Sequence, residues 1–167
     1  AKLDLNPPSE PSTERWNQNA QQLTLSLNNL YRRTFWTLEV NHTTDRRCDD
    51  WNQRDKDYYW CTDGVTADDG TIADFWEDSY KTIVRSNRVI NSIEALGDRE
   101  DLMVLKGEAY FFRAVGYGRL ATHWGDVPYF TKDMTIEEAL NTGRAKKDSV
   151  MALVYADFDK AIELLPD

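Results

Sequence analysis

The residues best suited to chemistry are crowded between Thr43 and Gly70, in TTDRRCDDWNQRDKDYYWCTDGVTADDG. Trp51, Tyr58, Tyr59 and Trp60 supply aromatic faces, and Asp69 stands among many other carboxylates and amides. Cys48 and Cys61 bracket the rings, and in an oxidising compartment they would close a loop of about a dozen residues, worth roughly 3 kcal/mol in the chain-entropy model. Two unpaired thiols are the alternative. Zinc fits less well: the pair lacks a C-x-x-C spacing, and His42 and His123 fall in separate elements. Asp63, Asp68, Asp69 and Asp74 lack the Asp-x-Asp-x-Asp-Gly pattern of a calcium loop, and helix capping with solvation accounts for them more simply. The expectation is therefore no metal and no cofactor.

Periodicity disappears over residues 38–73, so this is a long irregular loop. Loops of such length inside a compact domain are usually functional or disordered, and the density of rings argues against disorder. A binding loop is the favoured reading, with rings tucked back as a small satellite core as the alternative.

The elements that must position this loop are helical. Residues 1–11 carry Pro7, Pro8 and Pro11 and form an extended arm. A first helix, capped by Ser12 or Thr13, runs to about Trp36, with Trp16, Ala20, Leu23, Leu27 and Leu30 on one stripe. A second runs from about Ile72 to Leu96, with Ile83, Asn87 and Ile90 on its stripe and Gly97 as its stop. A buried Asn87 has to find partners, which predicts a bond to a neighbouring element. Asp98 opens a third helix whose short entrance makes it antiparallel to the second. In GEAYFFRAVGYGRLATHWGDVPYF, Gly107 to Phe130, the apolar arc is wide enough for burial on more than one side. That helix ends near Trp124, where Gly125 and the Val127-Pro128 pair redirect the chain. Glu108 and Arg113 share no helix face, so each is expected to pair elsewhere, with the Arg85–Arg88 helix or with Asp126. Thr135 and Glu138 form a capping-box pattern for a short helix. A last helix from about Asp148 turns Val150, Leu153, Val154, Phe158, Ala161 and Leu165 inward, and Pro166 ends it.

The chain of 167 residues is long enough for one domain with its own core, and its net charge of -9 argues against nucleic acid as a partner. No run approaches the roughly eighteen apolar residues of a membrane helix. Many Asp and Glu are present, but no nucleophile motif, metal-ligand cluster or phosphate-cradling Gly loop stands out, so an enzyme is not expected. Aromatic residues make up 12% of the chain, and those in irregular sequence point to a contact surface.

Three segments in order, WEDSYKTIVRSNRVI (Trp76 to Ile90), GEAYFFRAVGYGRLATHWGDVPYF and VYADFDKAIELLP (Val154 to Pro166), resemble the SusD/RagB family of nutrient-binding outer-membrane lipoproteins. The opening LDLNPPSEPSTERW is similar as well, and the resemblance covers most of the chain apart from Thr43 to Gly70. It implies an all-α fold of tetratricopeptide-like hairpins on the outer membrane of a Bacteroidetes-type bacterium. Such a protein would capture oligosaccharides and hand them to a SusC-like TonB-dependent transporter. The family's lipid-bearing Cys would lie upstream of residue 1, and its longer C-terminal part beyond residue 167, making this the N-terminal portion. Family motifs here carry over no catalytic residue. Under this resemblance, Trp51, Tyr58, Tyr59, Trp60 and Asp69 are the expected sugar contacts. The alternative is a helical scaffold that docks the transporter while the C-terminal part binds ligand.

Overall fold

A computed structural model describes residues 16–32, 66, 70–132 and 134–166. In chain order the elements are α1 (Ala20–Arg32), α2 (Gly70–Ala95), a short 3-10 turn (Glu100–Leu102), α3 (Met103–Trp124), β1 (Val127–Pro128), α4 (Ile136–Asn141), β2 (Arg144–Ala145) and α5 (Lys147–Leu164). The fold is all-α in character. Among the described residues the β component is a two-residue antiparallel ladder that pairs Val127 with Ala145 and Pro128 with Arg144. Sequence periodicity cannot show so short a ladder.

Helix α1 begins later than its apolar stripe suggests. The Asn19 side chain accepts from the Gln22 amide at 3.0 Å, so Asn19 takes the capping role expected of Ser12 or Thr13. Trp16 lies before the helix, in a turn where Asn17 has φ 66°. Its indole N–H donates to Ser26 Oγ at 2.8 Å, and Ser26 donates to Asn17 Oδ1 at 2.7 Å, which ties the turn to the helix. Helix α2 begins at Gly70, so the last residues assigned to the long loop, 70–73, are helical. It ends in two 3.1 Å bonds, Gly97 N–H to Glu94 O and Asp98 N–H to Ile93 O. With Gly97 at φ 83°, this is the Schellman arrangement, which glycine enters without a Cβ penalty. Asp98 is therefore the end of α2 rather than the cap of α3. Its carboxylate instead accepts from Lys106 Nζ at 2.6 Å, fastening the turn to the first part of α3.

Contacts run in opposite senses along neighbouring helices. Between α2 and α3, Trp76 meets Trp124, Asn87 meets Arg113, and Glu94 meets Lys106, so the two are antiparallel. Between α3 and α5, Phe111 meets Phe158 and Arg113 meets Asp157, again antiparallel. Close approach is built into α3: a Cβ on Gly116 would stand 2.8 Å from Ile83 Cγ1, and one on Gly107 3.0 Å from Leu164 Cβ. Helix α3 is buried on several sides, through Ala109, Phe112, Ala114, Tyr117 and Leu120 among others. Inward residues of α5 include Val150, Val154 and Ala161, with Phe158 and Leu165 packed at the core margin. Leu153, expected inside, is 38% exposed; the inward position goes to Asp157 instead.

Asp157 explains that exchange. Arg113 donates from Nε to Asp157 Oδ2 at 2.7 Å and from Nη2 to Oδ1 at 2.8 Å, a bidentate pair with both side chains 6% exposed. Its Nη1 donates to Asn87 Oδ1 at 3.0 Å, and Asn87 Nδ2 donates to the Phe130 carbonyl at 3.1 Å. Arg113 thus pairs with α5 and α2, not with Asp126. Burial alone would lower the Arg113 pKa, yet the hydrogen bonds and charge of Asp157 leave it raised.

The segment leaving α3 is held by its backbone. Tyr117 Oη donates to Phe130 O at 2.8 Å and accepts from Phe130 N at 2.9 Å, while Tyr80 Oη donates to Pro128 O at 2.8 Å. Burial pushes both phenols well above their ordinary value of 10.0, and at Tyr117 the bond to Phe130 only partly opposes this.

Two outcomes are expected from these bonds. Asp157→Ala strands a buried guanidinium and should cost about 3–5 kcal/mol in a chemical denaturation curve followed by circular dichroism. The double change Arg113→Met with Asp157→Leu should recover only part, because Asn87 Oδ1 then lacks its donor; a wild-type curve for Asp157→Ala would contradict the account. For the phenols, the raised folded-state pKa means their stabilisation is fully present below pH 10.0 and is lost as pH rises through the folded values. Absorbance titration should find tyrosines among the total of eight that ionise only as the helices melt, and a single class titrating like free phenol in the folded chain would refute this.

Candidate functional site

The residues expected to contact ligand, Trp51, Tyr58, Tyr59, Trp60 and Asp69, and the pair Cys48 and Cys61, lie outside the described residues. So does the arm at 1–11. The remaining chemistry-bearing residues are spread apart by the fold. Glu108 accepts from Tyr31 Oη at 3.2 Å, raising the Tyr31 pKa together with the larger effect of burial. His123 Nδ1 sits 2.9 Å from the Arg119 carbonyl one turn earlier. Asp126 Oδ1 accepts from the Lys147 amide at 2.8 Å, so it caps α5 across a loop where Lys146 makes no side-chain cap. Glu138 and Thr135 complete the expected capping box of α4, and those bonds hold the Glu138 carboxyl below its usual value. Among the described residues no group of three or more His, Cys, Asp or Glu is placed to hold a metal ion. Nor is any described helix long and apolar enough to cross a membrane.

What the fold does bring together is a run of depressions along the outer side of α2. The first, a cavity of about 400 Å³, is bordered by Trp76, Tyr80, Lys81 and Arg85. The second, about 260 Å³, lies where α1 meets α2, between Trp16, Asn17, Leu25, Asn29 and the Arg85 and Arg88 side chains. The third, about 300 Å³, continues past Trp16 and Arg88 to Asn91 and Leu96. Arg88 borders all three. The linings of the three depressions together run from Trp76 to Leu96, roughly 30 Å along α2 at 1.5 Å per residue.

Local sequence explains this lining. Ile83, Asn87 and Ile90 occupy the buried face of α2, leaving Glu77, Lys81, Arg85 and Arg88, at spacings of four, four and three, on the other side. Lys81 pairs with Glu77 at 2.7 Å, and Arg85 Nη1 donates to Asn29 Oδ1 at 2.9 Å, bridging the seam between α1 and α2. The rings at one end are fixed by packing: Trp76 lies 5.2 Å from Trp124 and 5.0 Å from Tyr80, and Tyr80 stacks on Phe130 at 5.9 Å. Nearby, Arg119 is pushed down to about 10 by burial, with its guanidinium 5.8 Å from the Phe75 ring centre. Sequence reasoning treated Trp16 as one residue of a helical stripe and Arg85 and Arg88 as packing partners. The cationic spacing on α2 was the signal for these depressions, but Trp16 reaches them only through the turn at Asn17.

Against this geometry the comparisons are consistent. A family model described as "Starch-binding associating with outer membrane" matches residues 3–167. Among curated relatives, SusD-like protein P25 of Formosa agariphila is 26% identical over 100 residues, covering 58% of this chain and 19% of the relative. SusD-like protein P38 of the same organism is 34% identical over 87 residues, covering 52% and 17%. The chain therefore spans about a fifth of the length of the curated relatives it matches. A SusD-like carbohydrate binding protein from Bacteroides fragilis superposes with a TM-score of 0.78 at 24% identity, over 90% of this chain and 32% of that one. A second SusD-like protein from the same species gives 0.78 at 23% identity, over 93% and 31%. With almost its whole length matched by the family model and its helices laid out as in those structures, the chain belongs to the SusD-like family.

Proposed function

We propose that the chain is the N-terminal portion of a surface glycan-binding lipoprotein that captures oligosaccharides and delivers them to a SusC-like TonB-dependent transporter in the outer membrane. The observation that carries this is the family match over residues 3–167, with a solved relative described as carbohydrate binding. The lipid anchor and surface location come with the same reading. Binding without catalysis also suits the side chains of the α3 region, since Glu108, Arg113 and Asp126 are committed to bonds that join elements. In this reading Trp51, Tyr58, Tyr59 and Trp60 offer stacking faces and Asp69 a hydroxyl acceptor.

A scaffold that docks the transporter, with sugar held by the rest of the protein, is the second reading. The outer side of α5 favours it: Tyr155 is 63% and Ile162 76% exposed, seven residues apart on one helix face.

Affinity electrophoresis of the full-length protein in polysaccharide gels, with single Ala changes at Trp51, Tyr58, Tyr59, Trp60 and Asp69, separates the readings. Capture should lose retardation in at least one variant, by about 1–3 kcal/mol if one stacking ring or one hydrogen bond is removed. Full retardation in all five, with transporter pull-down abolished by Tyr155→Ser with Ile162→Ser, would replace capture by scaffolding. The Cys48–Cys61 bridge is a separate proposal. Non-reduced peptide mapping of secreted protein should yield one linked peptide pair, and two alkylatable thiols would rule the bridge out.

A further inference from the structure

The pocket of about 260 Å³ where α1 meets α2 is bordered by a buried group whose hydrogen bonding is incomplete. Asn17, on the pocket's edge, is only 7% exposed. An indole N–H can only donate, so Trp16 Nε1 gives its hydrogen to Ser26 Oγ at 2.8 Å, and Ser26 gives its own to Asn17 Oδ1 at 2.7 Å. That order of donors fixes which end of the Asn17 carboxamide is the oxygen and leaves Nδ2 as a pure donor. Among the described residues, Asn17 Nδ2 donates to no group. A buried amide nitrogen ordinarily has a partner, because leaving it without one forfeits its hydration for nothing. Asn29 repeats the pattern on the same pocket: its Oδ1 accepts from Arg85 Nη1 at 2.9 Å, which leaves its own Nδ2 to donate. The guanidinium groups of Arg85 and Arg88 are already engaged, so they serve the pocket as walls. Its apolar lining is the Trp16 indole and Leu25, the latter 52% exposed.

Such a pocket calls for an oxygen that accepts and brings no proton of its own, next to a small apolar group. A hydroxyl suits it less well, since its hydrogen would compete for Asn oxygens that already accept. An acetamido group has both parts, a carbonyl oxygen and a methyl. We infer that the pocket between α1 and α2 takes the acetamido group of an N-acetylated sugar, with its carbonyl oxygen accepting from Asn17 Nδ2 and its methyl against Leu25 and Trp16. This rests on the glycan-binding reading above and adds to it a second contact region and a ligand class. At about 260 Å³ the pocket falls just below the roughly 300–1,000 Å³ of sites for larger organic ligands, which suits one sugar unit. No charge enters the contact, so its strength is insensitive to salt.

The test is calorimetric titration of the full-length protein with chitotriose and with cellotriose, which share one backbone and differ in carrying acetamido groups or hydroxyls at one ring position. Chitotriose should bind at least about tenfold more tightly, and the preference should persist as salt is raised. Asn17→Asp keeps the acceptor for Ser26 and removes the donor, so it should weaken chitotriose by about tenfold and leave cellotriose as in the parent. Leu25→Asn, at an exposed position, removes the apolar wall; it should weaken chitotriose in the same direction and decides the matter if Asn17→Asp fails to fold. Asn28→Asp makes the same chemical change at a residue of α1 that does not border the pocket, and should alter neither. Equal binding of the two trisaccharides, or parent-like chitotriose binding by the folded variants, would overturn the inference while leaving glycan capture intact. So would failure to bind chitotriose in a protein that retains another glycan. Binding of no glycan at all would overturn both.

Discussion

The buried bond set around Arg113 is the constraint on which the other packing depends. A guanidinium in the middle of a helical core is tolerable only when its charge and its donors are met, and here they are met from two other helices. Asp157 neutralises it from α5, and Asn87 takes a third N–H from α2 and passes the linkage to the Phe130 carbonyl. Each partner fixes a register. Sliding α5 by one turn would carry Asp157 about 5.4 Å away and leave two opposite charges buried apart. Apolar side chains tolerate such slips far better, so the polar layer selects one arrangement from several that hydrophobic burial would accept.

The two apolar clusters lie on either side of that layer. One gathers Leu23, Leu27, Leu30, Ile90, Ile93 and Phe112; the other gathers Ile83, Ala114, Tyr117, Leu120, Val150 and Val154. Along α2 the order is Ile83, Asn87, Ile90; along α3 it is Phe112, Arg113, Ala114; along α5 it is Val154, Asp157, Ala161. Asn87, Arg113 and Asp157 thus meet at one level between the two apolar clusters, with Ser86 buried beside Asn87 on α2. The close contacts follow from this register: Ile83 lies over Gly116, where any Cβ would meet it at 2.8 Å. The glycine costs about 1 kcal/mol in helix propensity, and α2 comes correspondingly nearer to α3.

Much of this was legible in the sequence, for physical reasons that differ by element. Helices α2, α3 and α5 were visible because long apolar periodicity survives local noise, and their ends because Gly97, Gly125 and Pro166 are strong stops. The role of Asn87 followed from its place on an apolar stripe. Asp157 was missed because it lies beside Phe158, whose own place on the stripe accounts for the helix without it. The start of α1 was missed because Trp16 falls at helical spacing while the backbone at Asn17 is left-handed, and spacing carries no information about φ. Asp98 was misassigned because an Asp before a helix has the appearance of a cap even when a Schellman turn has already set its backbone. The expected ligand residues and cysteines fall outside the described residues and within the stretch that the family resemblance leaves out, so they rest on the local sequence alone.

A rigid interior and an adaptable surface are divided between the two sides of α2. Its inner side is committed: Ile83, Asn87 and Ile90 cannot change without disturbing α3, the Phe130 segment or α1. Its outer side carries Glu77, Lys81, Arg85 and Arg88, whose bonds run along the helix, as from Lys81 to Glu77, or across the seam to α1, as from Arg85 to Asn29, rather than into the core. The chain leaving α3 is gripped twice over, through the carbonyls of Pro128 and Phe130 and through its side chains, with Val127 fully buried, Tyr129 4.6 Å from Tyr117 and Phe130 stacked on Tyr80. The polar layer around Arg113 belongs to the committed side, so the register of α2 against α3 and α5 is set by Asn87, Arg113 and Asp157 rather than by the side chains on the outer side of α2.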